Sequence, residues 1–281
     1  MTTITHHEVH ANGLQFHIAR AGTSGPPVLL PHGFPQHSHA WRLVMADLAA
    51  DHRVYAPDLR GAGDSEAPRR GYDTATMTTD VLALLDALDL PTVALVGHES
   101  GGWLGFHLAL TAPERFLSLV AVNTPHPWIP HRRMLPHVWR FWYTALFEYP
   151  GLGAWLIRTR PGLLRWLLRR GRPGLADPDI DVFVNPFRDA LRARAGQQLQ
   201  WQMVLHDIPR RMLGRYRGCR LAVPTLLLAG RHDFALSPRS LTTAHNIDVR
   251  IIDGGHYLPE EHPGAVSGAV RETCTRLPTP R

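Results

Sequence analysis

Residues 93–103 read VALVGHESGGW: an apolar run, the turn Gly97-His98-Glu99-Ser100-Gly101-Gly102, and a helical pattern from Leu104. A strand that turns sharply into a helix exposes one side chain at the edge of a sheet, the geometry of a nucleophile elbow. The backbone there is strained and close-packed, so small residues are needed two before and two after the reactive group. Gly97 and Gly101 meet that need around Glu99, whereas Ser100 would require a small residue where His98 stands. A carboxylate attacking through Glu99 is therefore favoured over a hydroxyl attacking through Ser100. The plainer alternative is that Glu99 only stabilises the following helix, since acids are favoured near helix N-termini.

Two groups later in the chain argue for chemistry. Asp233 ends Ala229-Gly230-Arg231-His232-Asp233, and His256 ends Asp253-Gly254-Gly255-His256, each after an apolar run. The order nucleophile, acid, histidine allows Asp233 to orient the His256 imidazole as a base. The other candidates among the 18 histidines, His98, His232 and His262, are expected to pack or hydrogen-bond only. Upstream, His32-Gly33-Phe34-Pro35-Gln36 follows Val28-Leu29-Leu30. From that place the Phe34 amide can join the Ser100 amide in an oxyanion hole, with a simple Gly-Pro turn as the alternative.

These residues require a scaffold of strand ends. The runs at Val28 to Leu30, Val54 to Ala56, Val93 to Val96, Leu119 to Val122, Thr225 to Leu228 and Val249 to Ile252 read as buried parallel strands. A helix is expected over Asp80 to Leu90, striped by Val81, Leu84, Leu85 and Leu88 and stopped by Pro91. Alternation of this kind predicts an α/β fold, a mostly parallel sheet flanked by helices. From about Pro125 to Arg217 the pattern becomes helical and rich in Trp, Arg and Pro. The expected organisation is core 1–124, an inserted helical cap over 125–217, and core 218–281.

At 281 residues, with 44% hydrophobic and 19% charged positions, the chain is neither disordered nor fibrous. Its two cysteines are too few for a disulfide framework, and no run approaches the roughly 18 apolar residues of a membrane span. A cytoplasmic location is expected, the N-terminus having no apolar export signal. All 30 basic residues are arginine, which leaves no lysine for a Schiff base or a P-loop. The densest basic run, Arg158 to Arg172, carries Leu163, Leu164, Leu167 and Leu168 on one helical face and is expected to be a solvated helix surface. Nucleic acid is not an expected partner.

Taken together, HGFPQ (32–36), DLRGAGDS (58–65), GHESGG (97–102), GRHD (230–233) and GGHYLPEEHP (254–263) resemble the epoxide hydrolase branch of the α/β-hydrolase superfamily, over nearly the whole chain. The resemblance implies attack of a carboxylate on an epoxide carbon and hydrolysis of the resulting ester, with Glu99, Asp233 and His256 in the catalytic positions and no cofactor or metal. It also implies two cap side chains that donate to the ring oxygen. Tyr143, seven residues before Pro150-Gly151, fits the first. In Leu199-Gln200-Trp201-Gln202-Met203, Gln202 takes the place of the second tyrosine, with Tyr216 as a substitute donor. The family usually carries aspartate where this chain has Glu99, and one methylene moves a carboxylate by up to about 1.5 Å.

The expected substrate is an apolar or aromatic epoxide. Trp128, Trp139, Trp142, Trp155, Trp166 and Trp201 could line its pocket, although most are expected to pack between helices. Three other activities remain open. An ester or lactone hydrolase would use Ser100 or a water activated by Glu99. A haloalkane dehalogenase would ordinarily place tryptophan, not Ser100, after the nucleophile. A non-catalytic binding protein would keep only the fold. No oligomeric state follows from the residues.

Overall fold

A computed structural model of the chain describes residues 3–241, 244 and 246–275. The first half runs β1 (Thr5–Ala11), β2 (Leu14–Ala21), β3 (Pro27–Leu29), α1 (Arg42–Leu48), β4 (Arg53–Pro57), α2 (Thr74–Ala87), β5 (Val93–His98), α3 (Ser100–Thr111) and β6 (Phe116–Val122). Seven helices follow: α4 (His131–Met134), α5 (Thr144–Glu148), α6 (Leu152–Thr159), α7 (Pro161–Gly171), α8 (Asp177–Val184), α9 (Ala190–Gln202) and α10 (Ile208–Met212). The chain then returns to the sheet with β7 (Thr225–Gly230) and β8 (Ile247–Ile252), and ends in α11 (Leu258–Glu261) and α12 (Pro263–Thr275).

The eight strands form one sheet in the order β1-β2-β4-β3-β5-β6-β7-β8. β2 runs antiparallel to both β1 and β4, and the pairs from β4 onward are parallel. Because successive strand side chains point to opposite faces, the apolar runs feed two cores. Leu95, Leu119 and Leu227 pack toward α2 and α3 with Val81, Leu85 and Leu104. Val96, Val120 and Leu228 pack toward α1 and α12 with Val44, Leu48, Val266 and Val270. All six residues of β5 are buried, which fixes the strand that delivers the elbow.

The six anticipated strands are present, and two elements differ from the sequence reading. The hairpin β1–β2 has no counterpart in that reading because β1, THHEVHA, is an exposed edge strand with little apolar alternation. Helix α2 starts earlier, at Thr74, and closes at Ala87 rather than Leu90. Asp73 caps it by accepting the Thr76 N–H at 3.0 Å, a start signal that the apolar stripe alone does not reveal.

Helices α4 to α10 fill the stretch between β6 and β7 and gather a third core in which Leu164, Leu167 and Leu168 of α7 meet Phe34 and Tyr143. The charge of α7 is partly paired, Arg165 meeting Asp181 and Arg169 meeting Asp177, and Arg172 just beyond its end meets Glu260 at 2.8 Å. The tryptophans mostly do not pack as expected. Trp128 joins a core, but Trp139 and Trp142 are 68% and 61% exposed, and Trp155 and Trp166 are also exposed. Among the described residues no helix is long and apolar enough to cross a membrane, and Cys219 and Cys274 are free thiols.

Candidate active site

The functional candidates converge at the carboxyl ends of the parallel strands, where open α/β sheets hold their ligands. The turn after β5 carries Glu99 at φ 52° and ψ −115°, a left-handed conformation that a non-glycine residue adopts only under local constraint. The constraint is visible in the packing: a Cβ at Gly97 would run into the Gly101 carbonyl. The Glu99 amide donates to Val122 O at 3.0 Å, and its carbonyl accepts the Trp103 N–H at 3.0 Å. The elbow is thus tied to β6 on one side and to α3 on the other.

From the loop after β3, the Phe34 amide donates to Glu99 Oε2 at 2.9 Å. Gly33 permits this approach, since a Cβ there would lie 2.6 Å from Glu99 Cβ and 2.7 Å from Oε2. Ser100 is the first residue of α3, and its side chain does not face the cavity that Glu99 lines. Among the described residues its amide makes no hydrogen bond to the Glu99 carboxylate, so one of the two expected oxyanion donors is engaged.

Asp233 and His256 lie in the loops after β7 and β8 and are almost fully buried. His256 Nδ1 stands 3.0 Å from each Asp233 oxygen. Asp233 Oδ1 also accepts the Ala235 and Leu236 amides at 2.7 and 3.1 Å, which fixes the carboxylate. Burial lowers the imidazole pKa, but the Asp233 charge and hydrogen bond outweigh it, and Glu99 adds to them, so the pKa rises above 6.5.

A cavity of about 420 Å³ with a mainly apolar wall opens over these groups. Glu99, Phe34, Tyr143 and His256 line it, with Trp139 and Trp142 among the more exposed residues. Burial, with the charges of Glu99 and Asp233, raises the Tyr143 pKa and keeps its phenol protonated. The second sequence candidate is not brought in. Gln202 does not line the cavity, because two residues along a helix rotate a side chain by about 200° and it is Gln200 that faces inward. Gln200 is buried on α9, and its carboxamide has no protein partner among the described residues. Tyr216 also lies outside the lining and pairs with His107 Nε2.

Asn123, at φ 47° after β6, was not singled out by its sequence. Its Nδ2 donates to Gly255 O at 2.9 Å and His256 O at 2.5 Å, and its Oδ1 accepts the Gly230 N–H at 2.7 Å. One carboxamide therefore holds the ends of β6 and β7 against the histidine loop. His98 Nε2 bonds the same His256 carbonyl at 2.8 Å, consistent with the supporting part expected of it. Asparagine directly after a buried strand is the only trace of this role in the sequence. Arg140 reaches down to the carbonyls of Asp233 and Phe234, a link between distant segments that no local pattern announces.

The remaining motif, DLRGAGDS, serves the scaffold. Buried Asp58 accepts the Ser38 amide at 2.7 Å, the Asp64 amide at 2.9 Å and His17 Nδ1 at 2.8 Å. His17, Asp58 and Asp64 form the one grouping among the described residues that could hold a metal ion. They lie outside the cavity lining, and Asp58 already has both oxygens engaged within the protein.

Comparison with known proteins identifies the family of the fold. A family model described as the alpha/beta hydrolase fold matches residues 26–263. The soluble epoxide hydrolase of Corynebacterium sp. (strain C12) is 31% identical over 279 residues, spanning 93% of this chain and 94% of the relative. A haloalkane dehalogenase of Mesorhizobium japonicum (strain LMG 29417 / CECT 9101 / MAFF 303099) is 31% identical over 265 residues, spanning 89% and 84%. The solved structure of the epoxide hydrolase CorEH without ligand superposes with a TM-score of 0.83 at 28% identity, covering 97% of this chain and 99% of that one.

Proposed function

Because the chain belongs to the α/β-hydrolase fold family, we propose that it hydrolyses an epoxide to a vicinal diol through a covalent ester on Glu99. The observation that carries this reading is a carboxylate at the elbow whose Oε2 rests on the Phe34 amide, in the same cavity as His256. A carboxylate held this way has its other oxygen free to attack.

In the first step a Glu99 oxygen bonds to an oxirane carbon and the ring C–O bond breaks. The ring oxygen leaves as an alkoxide and takes a proton from the Tyr143 phenol, a better acid than any amide. Gln200 supplies the second hydrogen bond. In the second step His256 Nε2 takes a proton from water, and the hydroxide adds to the Glu99 ester carbonyl. The oxyanion draws on the Phe34 amide and on the Ser100 amide, which at the start of α3 has no intrahelical acceptor. Collapse breaks the acyl C–O bond; the leaving alkoxide takes the proton held by His256, and the proton left on the Glu99 carboxyl returns to the Tyr143 phenolate, so that the diol leaves and the carboxylate is restored.

Incubation of His256→Ala with an epoxide panel tests the intermediate. Intact-protein mass should increase by one substrate, and the adduct should map to the peptide containing Glu99. A single wild-type turnover in ¹⁸O-water should place the label in Glu99 and not in the diol. Label in the diol, with no adduct, would mean that water attacks the epoxide directly. Ser100→Ala separates the ester-hydrolase reading, because it should largely spare activity if Glu99 attacks and abolish it if Ser100 does.

A further inference from the structure

We propose that the cavity contains an anion-binding subsite built on Arg211, and that the favoured epoxide carries a carboxylate at the end of an apolar body. This rests on the epoxide-opening reading, since it names the class of substrate. Arg211 stands on α10 at the cavity wall and is only 6% exposed. Its Nε donates to Pro127 O at 3.1 Å, and Nη2 donates to Ile129 O. A guanidinium has five N–H donors, so these two bonds leave most of the fork unused. Among the described residues no carboxylate pairs with it and Nη1 has no protein partner.

Another well-buried arginine shows how this fold ordinarily treats such a charge. Arg60, with its side chain 8% exposed, grips Asp80 with two bonds of 2.6 Å. A buried charge without a counter-charge is costly, and two neutral carbonyls recover only part of that cost. The free edge at Arg211 matches a carboxylate, which can accept two parallel N–H bonds. The same cavity wall carries the apolar side chains of Met134, Leu135 and Ile208. Glu148 and Asp207 also line the cavity, but burial raises both of their pKa values and Asp207 accepts the Thr74 hydroxyl. Their opposition to an anionic substrate is reduced accordingly.

The test pairs ω-epoxyalkanoates of graded chain length with their neutral primary amides. With wild type, the acid should exceed its amide in kcat/KM by about ten- to a hundredfold at the best length, the range of a charge-assisted hydrogen bond, and mainly through KM. Arg211→Met should bring that ratio near one, and Arg211→Lys, which keeps charge without the fork, should retain part of it. Equal turnover of acid and amide at every length, or a ratio that survives Arg211→Met, would overturn the subsite. Calorimetric titration of Glu99→Gln with the same compounds reads the subsite without chemistry. Tighter binding of acid than amide supports it and equal binding overturns it, even if wild type opens no epoxide and the proposed reaction itself fails.

Discussion

The strand-end loops and the helices between β6 and β7 contribute to one cavity under opposite structural regimes. Glu99, Asp233 and His256 are each fixed by hydrogen bonds to backbone groups or to one another, Asn123 ties the end of β7 to the histidine loop, and the Glu99 amide ties the elbow to β6. Trp142 and Tyr143 come from the turn before α5 and Gln200 from α9, and Trp142 is largely exposed. Such a division suits chemistry that must be positioned within a fraction of an ångström beside a wall that can differ between substrates. The expected consequence is that changes at the strand ends act mainly on kcat, and changes among the helices mainly on KM and substrate preference.

The largest effect should come from Glu99→Gln, which removes the carboxylate proposed to attack. Diol formation should fall by about 10⁴-fold or more, the scale seen when a catalytic nucleophile is lost, with no ester detectable by mass. Asp233→Asn should cost about 10³- to 10⁴-fold by disturbing the tautomer and orientation of His256. It should also change the pH profile. Wild-type ester hydrolysis needs neutral His256, so its rate should rise with pH through a midpoint above 6.5, and loss of the Asp233 charge should move that midpoint down. A midpoint unchanged by the substitution would show that Asp233 does not set the base.

Gly33→Ala should cost on the order of a hundredfold in kcat, because the new Cβ displaces the Glu99 carboxylate from the Phe34 amide. Tyr143→Phe should lower the ring-opening step by about ten- to a hundredfold while leaving ester hydrolysis nearly unchanged, as single-turnover kinetics can resolve. An effect as large as that of Asp233→Asn would break the proposed division by making the helical region an equal partner in the chemistry. Trp142→Ala should be the mildest change. Stability should move by less than about 0.5 kcal/mol in denaturant titration, with KM shifting a few fold between large and small epoxides.

What could be read from the residues follows the same division. The elbow, Asp233 and His256 are legible because each sits where a strand pattern stops at glycine-rich chemistry, and the strand period is short enough to fix the place. The place of Tyr143 in the cavity wall is legible through the family resemblance, which supplies the meaning of its spacing to Pro150. The cavity-facing residue of α9 is not, because identifying it requires the rotational phase of the helix, and the π-helical stretch Met203–Asp207 that follows disturbs that phase. Gln200 and Gln202 differ by a half-turn that composition cannot distinguish. Asn123 and Arg140 act across distant segments, and Arg211 is informative only through the missing counter-charge. Neither kind of information is local in sequence.

The carboxamide of Asn123 has one more implication, for inactivation by heat. It spans two strand termini and the loop that carries the imidazole, so melting that loop while the strands beneath it remain paired costs both hydrogen bonds that Asn123 donates to it. Residual turnover after heating should therefore track the fraction of molecules whose sheet is intact, whereas discrimination among substrates, set by the helices above, can decay sooner.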